Sequence, residues 1–192
     1  MKRIGGLRRR WLLNTVGVVL ILGMACVVAV TSVFAAYYYR NLQSDMENRA
    51  KNTTEFFADH INLSYTEYYQ SCITYAQTFA DKNFIELQFI NAQGKIVASS
   101  YGQWIGRSPS TPEIQAAINT RALQPYVGEN PDTGEHIMAV SSPMIYSNGE
   151  VIGVLRYVTS TRKLDMQILQ VALVALLALA VITLVVLISS NY

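Results

Sequence analysis

The sequence predicts an α+β fold, a long N-terminal helix and an antiparallel sheet held between two membrane-spanning helices. Three observations carry this. No charged residue occurs in 11–39 or in 166–192. No proline or glycine occurs in 40–80. From Phe84 onward, strand-like alternation and turn residues follow one another as far as Thr159.

The two uncharged runs come first. A bilayer core of about 30 Å takes about 20 apolar residues of helix, and both runs exceed that. Lys2, Arg3, Arg8, Arg9 and Arg10 precede the first run. Basic residues stay on the cytoplasmic side. Residues 1–10 therefore read as a cytoplasmic tail and 11–38 as the first transmembrane helix. Residues 39–163 read as an extracytoplasmic domain, 166–188 as the second transmembrane helix and 189–192 as a cytoplasmic end. Trp11 and Tyr37-Tyr38-Tyr39 sit where aromatic belts form. Small residues at Ala35-Ala36 would suit signal cleavage, but a signal's apolar core is about 7–15 residues, so an uncleaved anchor is expected. Arg162 and Lys163 run against the charge rule, and Asp165 partly offsets them. The 192 residues carry 15 basic and 13 acidic side chains. With five basic residues in the tail and all acidic ones in 40–165, that segment has 10 − 13 = −3. Such a balance excludes a nucleic-acid-binding surface.

A long helix is predicted over 40–81. Apolar or small residues recur at Leu42, Met46, Ala50, Thr53, Phe57, Ile61, Ser64, Tyr68, Cys72, Tyr75 and Phe79. This eleven-residue rhythm of about 3.67 residues per turn makes a nearly straight stripe. At a rise of 1.5 Å per residue the helix would be about 60 Å long, too long for one small sheet to cover. Its membrane-near half is expected at a parallel homodimer contact, and 57–79 on its own sheet.

A sheet domain is predicted over 84–160. Ile85, Leu87 and Phe89 alternate with Glu86 and Gln88, the period of a half-buried strand. Asn91-Ala92-Gln93-Gly94 turns the chain into a second strand over 95–99. Thr111-Pro112-Glu113 starts a short helix through 114–119. Residues 124–129 read as a middle strand, closed by Asn130-Pro131-Asp132-Thr133-Gly134. Residues 136–146 and 151–159 flank Ser147-Asn148-Gly149-Glu150, and Asn-Gly between apolar runs is the strongest short hairpin signal.

That order of elements between two spans resembles the extracytoplasmic PAS-like sensors called Cache domains, in their single-module form. The resemblance covers about 40–161. It rests on Phe89-Ile90-Asn91-Ala92-Gln93-Gly94-Lys95-Ile96-Val97-Ala98-Ser99-Ser100, Ile105-Gly106, Ser141-Ser142-Pro143-Met144 and Gly149-Glu150-Val151-Ile152-Gly153-Val154. The flanking arrangement resembles the N-terminal half of bacterial membrane sensor histidine kinases. In those kinases a HAMP linker, a phosphoacceptor-histidine helix pair and an ATP-binding domain follow the second span. None of them is among these residues, so either a fragment of a longer kinase or a stand-alone remnant is expected. The implied function is the input module of a two-component sensor kinase. Alternatives are the input half of a chemoreceptor or diguanylate cyclase, and an accessory protein that binds an extracytoplasmic protein partner.

The resemblance implies a pocket between the sheet's concave face, the short helix and the loops before it. Trp104, Arg107, Arg121, Tyr126, Ser141, Arg156 and Tyr157 are the candidates to line it. Arginine there favours a small anionic ligand through its forked donors. Arg156 leads because it shares a strand face with Ile152, Val154 and Val158, an unusual place for a charge. The competing reading is a structural partner in a buried pair.

No other chemistry is expected. His60 on the helix and His136 at a strand start read as solvated or structural residues. No His/Cys/Glu spacing fits a metal. There is no nucleophile elbow or phosphate loop, so no catalytic residue and no cofactor is assigned. Cys26 lies in a span and Cys72 outside it, so they cannot pair with each other. Cys72 reads as a buried free thiol.

Overall fold

The computed structural model describes residues 4–58, 64–146 and 148–191. The chain divides into two compact units, Met1–Tyr39 with Lys163–Tyr192, and Arg40–Arg162.

The first unit holds the apolar part of α1 (Ile4–Ala58) and nearly all of α4 (Arg162–Asn191). Both helices are long and apolar enough to cross a membrane. They pack on one another where α1 has no side chain. A Cβ on Gly23 would overlap Leu179 Cδ1, and Leu179 is buried. Glycine at such a level lets two helices approach closely when lipid supplies no hydrophobic drive. The Tyr39 hydroxyl also donates to the Asp165 carboxylate.

The second unit is a five-stranded antiparallel sheet with helices on both faces. Its strands are β1 (Glu86–Asn91), β2 (Ile96–Ser99), β3 (Gln124–Glu129), β4 (His136–Ile145) and β5 (Val151–Ser160). Their spatial order is β2-β1-β5-β4-β3. The predicted hairpins form. Asn91 Oδ1 accepts from the Gln93 and Lys95 amides in the first turn. Asn148 Oδ1 accepts from the Glu150 amide in the last. The central strand is β5, and its neighbour β1 comes from the opposite end of the domain.

One face of the sheet is covered by residues 40–58 of α1 and by α2 (Tyr65–Thr78). Met46, Ala50 and Phe57 from α1, and Cys72 and Ala76 from α2, are fully buried there. Phe57 meets Phe89 edge-on at 5.0 Å and Tyr75 at 5.3 Å. The Thr53 and Tyr157 hydroxyls are 2.9 Å apart, and Thr54 donates to Ser142 at 3.0 Å. Burial pushes the Cys72 thiol up to about 12, which leaves it protonated and unreactive.

Three expectations differ from the structure. The helix predicted over 40–81 is two helices. Ser64 is extended (φ −60°, ψ 155°) and forms a capping box with Glu67: its hydroxyl accepts from the Glu67 amide, and the Glu67 carboxylate accepts from the Ser64 amide. Ser-x-x-Glu is a helix-start signal, hidden inside an unbroken apolar rhythm. The predicted positions His60 and Ile61 lie outside the described residues. The second correction concerns Met46 and Ala50, expected at a contact between two copies. They have no exposed surface within a single chain, because the broken helix lets this stretch pack on its own sheet. The strand around Leu87 also differs from a half-buried one. Leu87 and Phe89 are buried on one face, and Gln88 and Ile90 on the other.

The opposite face is covered by the short helix α3 (Glu113–Thr120). Ile114 and Ala117 of α3 pack on Ile90, Ile96 and Val154, with Ile118 at the edge.

Candidate functional site

Cross-strand partners in a sheet share a face. Following the register through Arg156 therefore lists what lies beside it. Ser99 pairs with Gln88, Gln88 with Arg156, Arg156 with Ser141, and Ser141 with Gln124. One transverse row, crossing all five strands on the α3 face, is polar throughout. Ser99, Gln88, Arg156 and Ser141 in it are buried. On one side of the row lies the apolar cluster beneath α3. On the other lie Ile137, Ala139 and Val158, with Tyr126 packed against them.

Burying a guanidinium is costly unless its donors are met. Arg156 is 2% exposed, and its partners come from α3, from β1 and from the loop before α3. Nε donates to Glu113 Oε1 at 2.8 Å, Nη1 to Gln88 Oε1 at 2.9 Å and Nη2 to Thr111 Oγ1 at 2.9 Å. The Thr111 hydroxyl donates in turn to Glu113 Oε1 at 2.8 Å. Glu113 opens α3, where a carboxylate suits the helix's N-terminal dipole. From there it points down onto β5. The network continues along β1. Gln88 Nε2 donates to Glu86 Oε1 at 2.9 Å, and the Ser99 hydroxyl donates to the same oxygen at 2.7 Å. Among the described residues two buried atoms in this group have no partner, Glu113 Oε2 and Ser141 Oγ.

The seven residues singled out from the sequence scatter around this group. Arg156 and Ser141 stand side by side in the row. Tyr126 lies on the same face next to it, and its hydroxyl donates to the Glu129 carbonyl at 2.8 Å. Trp104 and Arg107 lie in the exposed loop after β2, with the Arg107 guanidinium 4.8 Å from the Trp104 ring centre. Trp104 holds a left-handed backbone, φ 63°. Arg121 is the exposed left-handed residue that ends α3. Tyr157 belongs to the opposite face, beside Thr53 and Phe79, because adjacent residues of a strand point opposite ways. Burial above all pushes its phenol up to about 12, against a smaller lowering by the Thr53 hydrogen bond. Tyr101, in the loop beyond Ser99, also has its pKa raised, by burial first and then by the charges of Glu86 and Glu135.

Sequence reading missed Gln88, Thr111, Glu113, Ser99 and Glu86. Gln88 and Glu86 looked like the solvent side of an alternating strand, and Thr111 and Glu113 like helix-start residues. The available signal was an arginine amid valines on a central strand, which demands a buried carboxylate somewhere. His136 is exposed, and His60 lies outside the described residues. Among the described residues no group of three or more His, Cys, Asp or Glu is placed to hold a metal.

Residues 74–159 match the family described as the WalK sensor protein kinase Cache domain. No curated protein matches the chain. Among solved structures, the ligand-binding domain of Mlp24 with asparagine is similar over 78% of this chain and 62% of its own, at 16% identity and a TM-score of 0.56. An extracellular ligand-binding receptor from Desulfohalobium retbaense is similar at 17% identity and a TM-score of 0.52, over 68% of this chain and 24% of its own. The ligand-binding domain of the Campylobacter jejuni chemoreceptor Tlp3, in complex with L-valine, is similar at 15% identity and a TM-score of 0.51. It is covered over 66% of its length. At these identities the likeness is one of fold. The chain spans about a quarter of the Desulfohalobium receptor.

Proposed function

We propose that the Cache-type sensor domain of this chain is the extracytoplasmic input module of a two-component sensor histidine kinase, anchored by two spans with both termini in the cytoplasm. The family matched by residues 74–159 is named for a sensor kinase, which favours a kinase over a chemoreceptor as the parent. The observation that carries the reading is the join between sensor and span. β5 ends at Ser160, α4 starts at Arg162, and Thr161 between them is fully buried. On this reading a movement of β5, the strand at the centre of the sheet, is passed to α4 along the chain. A signal passes along such a join only if the ligand binds two arrangements unequally.

The ligand side, on this reading, is the polar row and its α3 cover. Structures of similar fold with asparagine or L-valine bound support a small molecule as the stimulus. The parallel homodimer is part of the proposal too. Residues 40–58 would present to it the face left exposed by the sheet, which includes Asn41, Asn48 and Asn52. Two experiments test the reading. A cysteine introduced at the exposed Asn148 is labelled by an impermeant maleimide in intact cells; labelling only after lysis refutes the topology. Gly-Gly-Ser-Gly inserted between Arg162 and Lys163, in a receptor carrying a cytoplasmic kinase, uncouples output from stimulus. Unchanged stimulus-dependent output refutes the stiff join.

A further inference from the structure

The polar row has a definite unmet valence, and it is not the one an arginine in a pocket would advertise. Each nitrogen of the Arg156 guanidinium donates once within the chain, three of its five N–H groups. What lacks a partner is Glu113 Oε2, on a side chain 1% exposed, and Ser141 Oγ, on a residue with no exposed surface. An ionised carboxylate oxygen only accepts hydrogen bonds. A buried polar atom without a partner costs free energy that a bound donor returns. The charges point the same way. The contiguous network holds two carboxylates, Glu113 and Glu86, against the single cation Arg156. By side-chain type the network has one acidic group more than it has basic groups.

We infer that the site beside Arg156 takes the primary ammonium group of a small ligand, received by Glu113 Oε2 and Ser141 Oγ. This deepens the sensor reading and rests on it. Arg156 is then a positioning residue. It fixes Glu113 Oε1 and leaves Oε2 free for the ligand, while Thr111 and Gln88 hold the guanidinium in place. An anion, which the sequence favoured, would meet Glu113 where it expected an open arginine. Glu113 is the first residue of α3, so a ligand bound there grips the helix and β5 through one carboxylate.

The test uses the full chain in lipid nanodiscs, its thermal unfolding followed with three salts titrated in turn: methylammonium chloride, tetramethylammonium chloride and sodium acetate. Methylammonium has the charge and the donors, tetramethylammonium the charge alone, and acetate is the anion. The expected result is a saturable rise in melting temperature with methylammonium and none with the other two. Glu113→Gln weakens the apparent affinity at least tenfold. Ser141→Ala, which deletes an unpartnered hydroxyl and leaves the fold intact, weakens it severalfold. The proposal is overturned if tetramethylammonium acts as well as methylammonium, if acetate alone stabilises, if no salt has a saturable effect, or if Ser141→Ala binds as the parent does. Labelling at Asn148 and the linker insertion read the sensor proposal without any amine, so the two fail separately.

Discussion

The two faces of the sheet are built on opposite terms. The face under α1 and α2 is sealed by aromatic rings and small residues, and the hydroxyls of Thr53 and Tyr157, and of Thr54 and Ser142, are partnered with one another there. The face under α3 carries a buried arginine, a carboxylate with one oxygen unpartnered and a serine with none. The helices differ in the same sense. α2 has 14 residues and a complete capping box; α3 has 8, no side-chain cap at Pro112 and a left-handed arginine at its end. A sheet sealed on one side and incompletely satisfied on the other has a fixed half and a half that can respond. The lesson is that the polar residues of a core, more than its apolar ones, mark where a domain is built to change.

The largest effect expected on the sealed face is a cavity. Phe89→Ala should cost about 3–5 kcal/mol, the range for a fully buried phenylalanine, read as a lower urea midpoint for the chain in detergent. On the α3 face a comparable loss should depend on company. Arg156→Met alone strands a buried carboxylate and should cost about 3–5 kcal/mol, whereas Arg156→Met with Glu113→Leu should recover most of it. A double variant as unstable as the sum of the singles would mean that the pair is not coupled, and would remove the distinction between the faces.

A smaller effect separates them by pH. Cys72 and Tyr157, both under α1 and α2, have ordinary values of 9.0 and 10.0, and burial pushes each up to about 12. The folded chain keeps these protons after the unfolded chain has lost them. Their contribution is complete below pH 9 and declines as pH rises from about 9 to 12. Thermal unfolding across that range should therefore show falling stability, and Tyr157→Phe should flatten the part above pH 10. An unchanged slope in the variant would place the alkaline loss elsewhere.

Much of this was legible in the chain itself. β3 has the bounds read for the middle strand, Gln124–Glu129, and Asn148-Gly149 turns the last hairpin where expected. Local signals sufficed because turn chemistry and period act over a few residues. The break at Ser64 was written in its capping box, yet the apolar rhythm ran straight through it: a stripe tells which face is buried and not whether the helix continues. The site was the least legible part. Gln88, Arg156 and Ser141 are neighbours only through strand register, and Glu113 joins them from 43 residues away. The sequence placed an arginine on an apolar face and could not name its partner. It also put Tyr157 in the pocket beside Arg156, although neighbours in a strand must face apart.

The most direct test of the difference between the faces is amide hydrogen exchange of the full chain in nanodiscs, resolved by segment. α3, Glu113–Thr120, should exchange through local opening well below the global unfolding energy. The central strand β5 and the helix α2 should exchange only with the whole domain. Equal protection of α3 and α2, or an α2 that opens before α3, would contradict this.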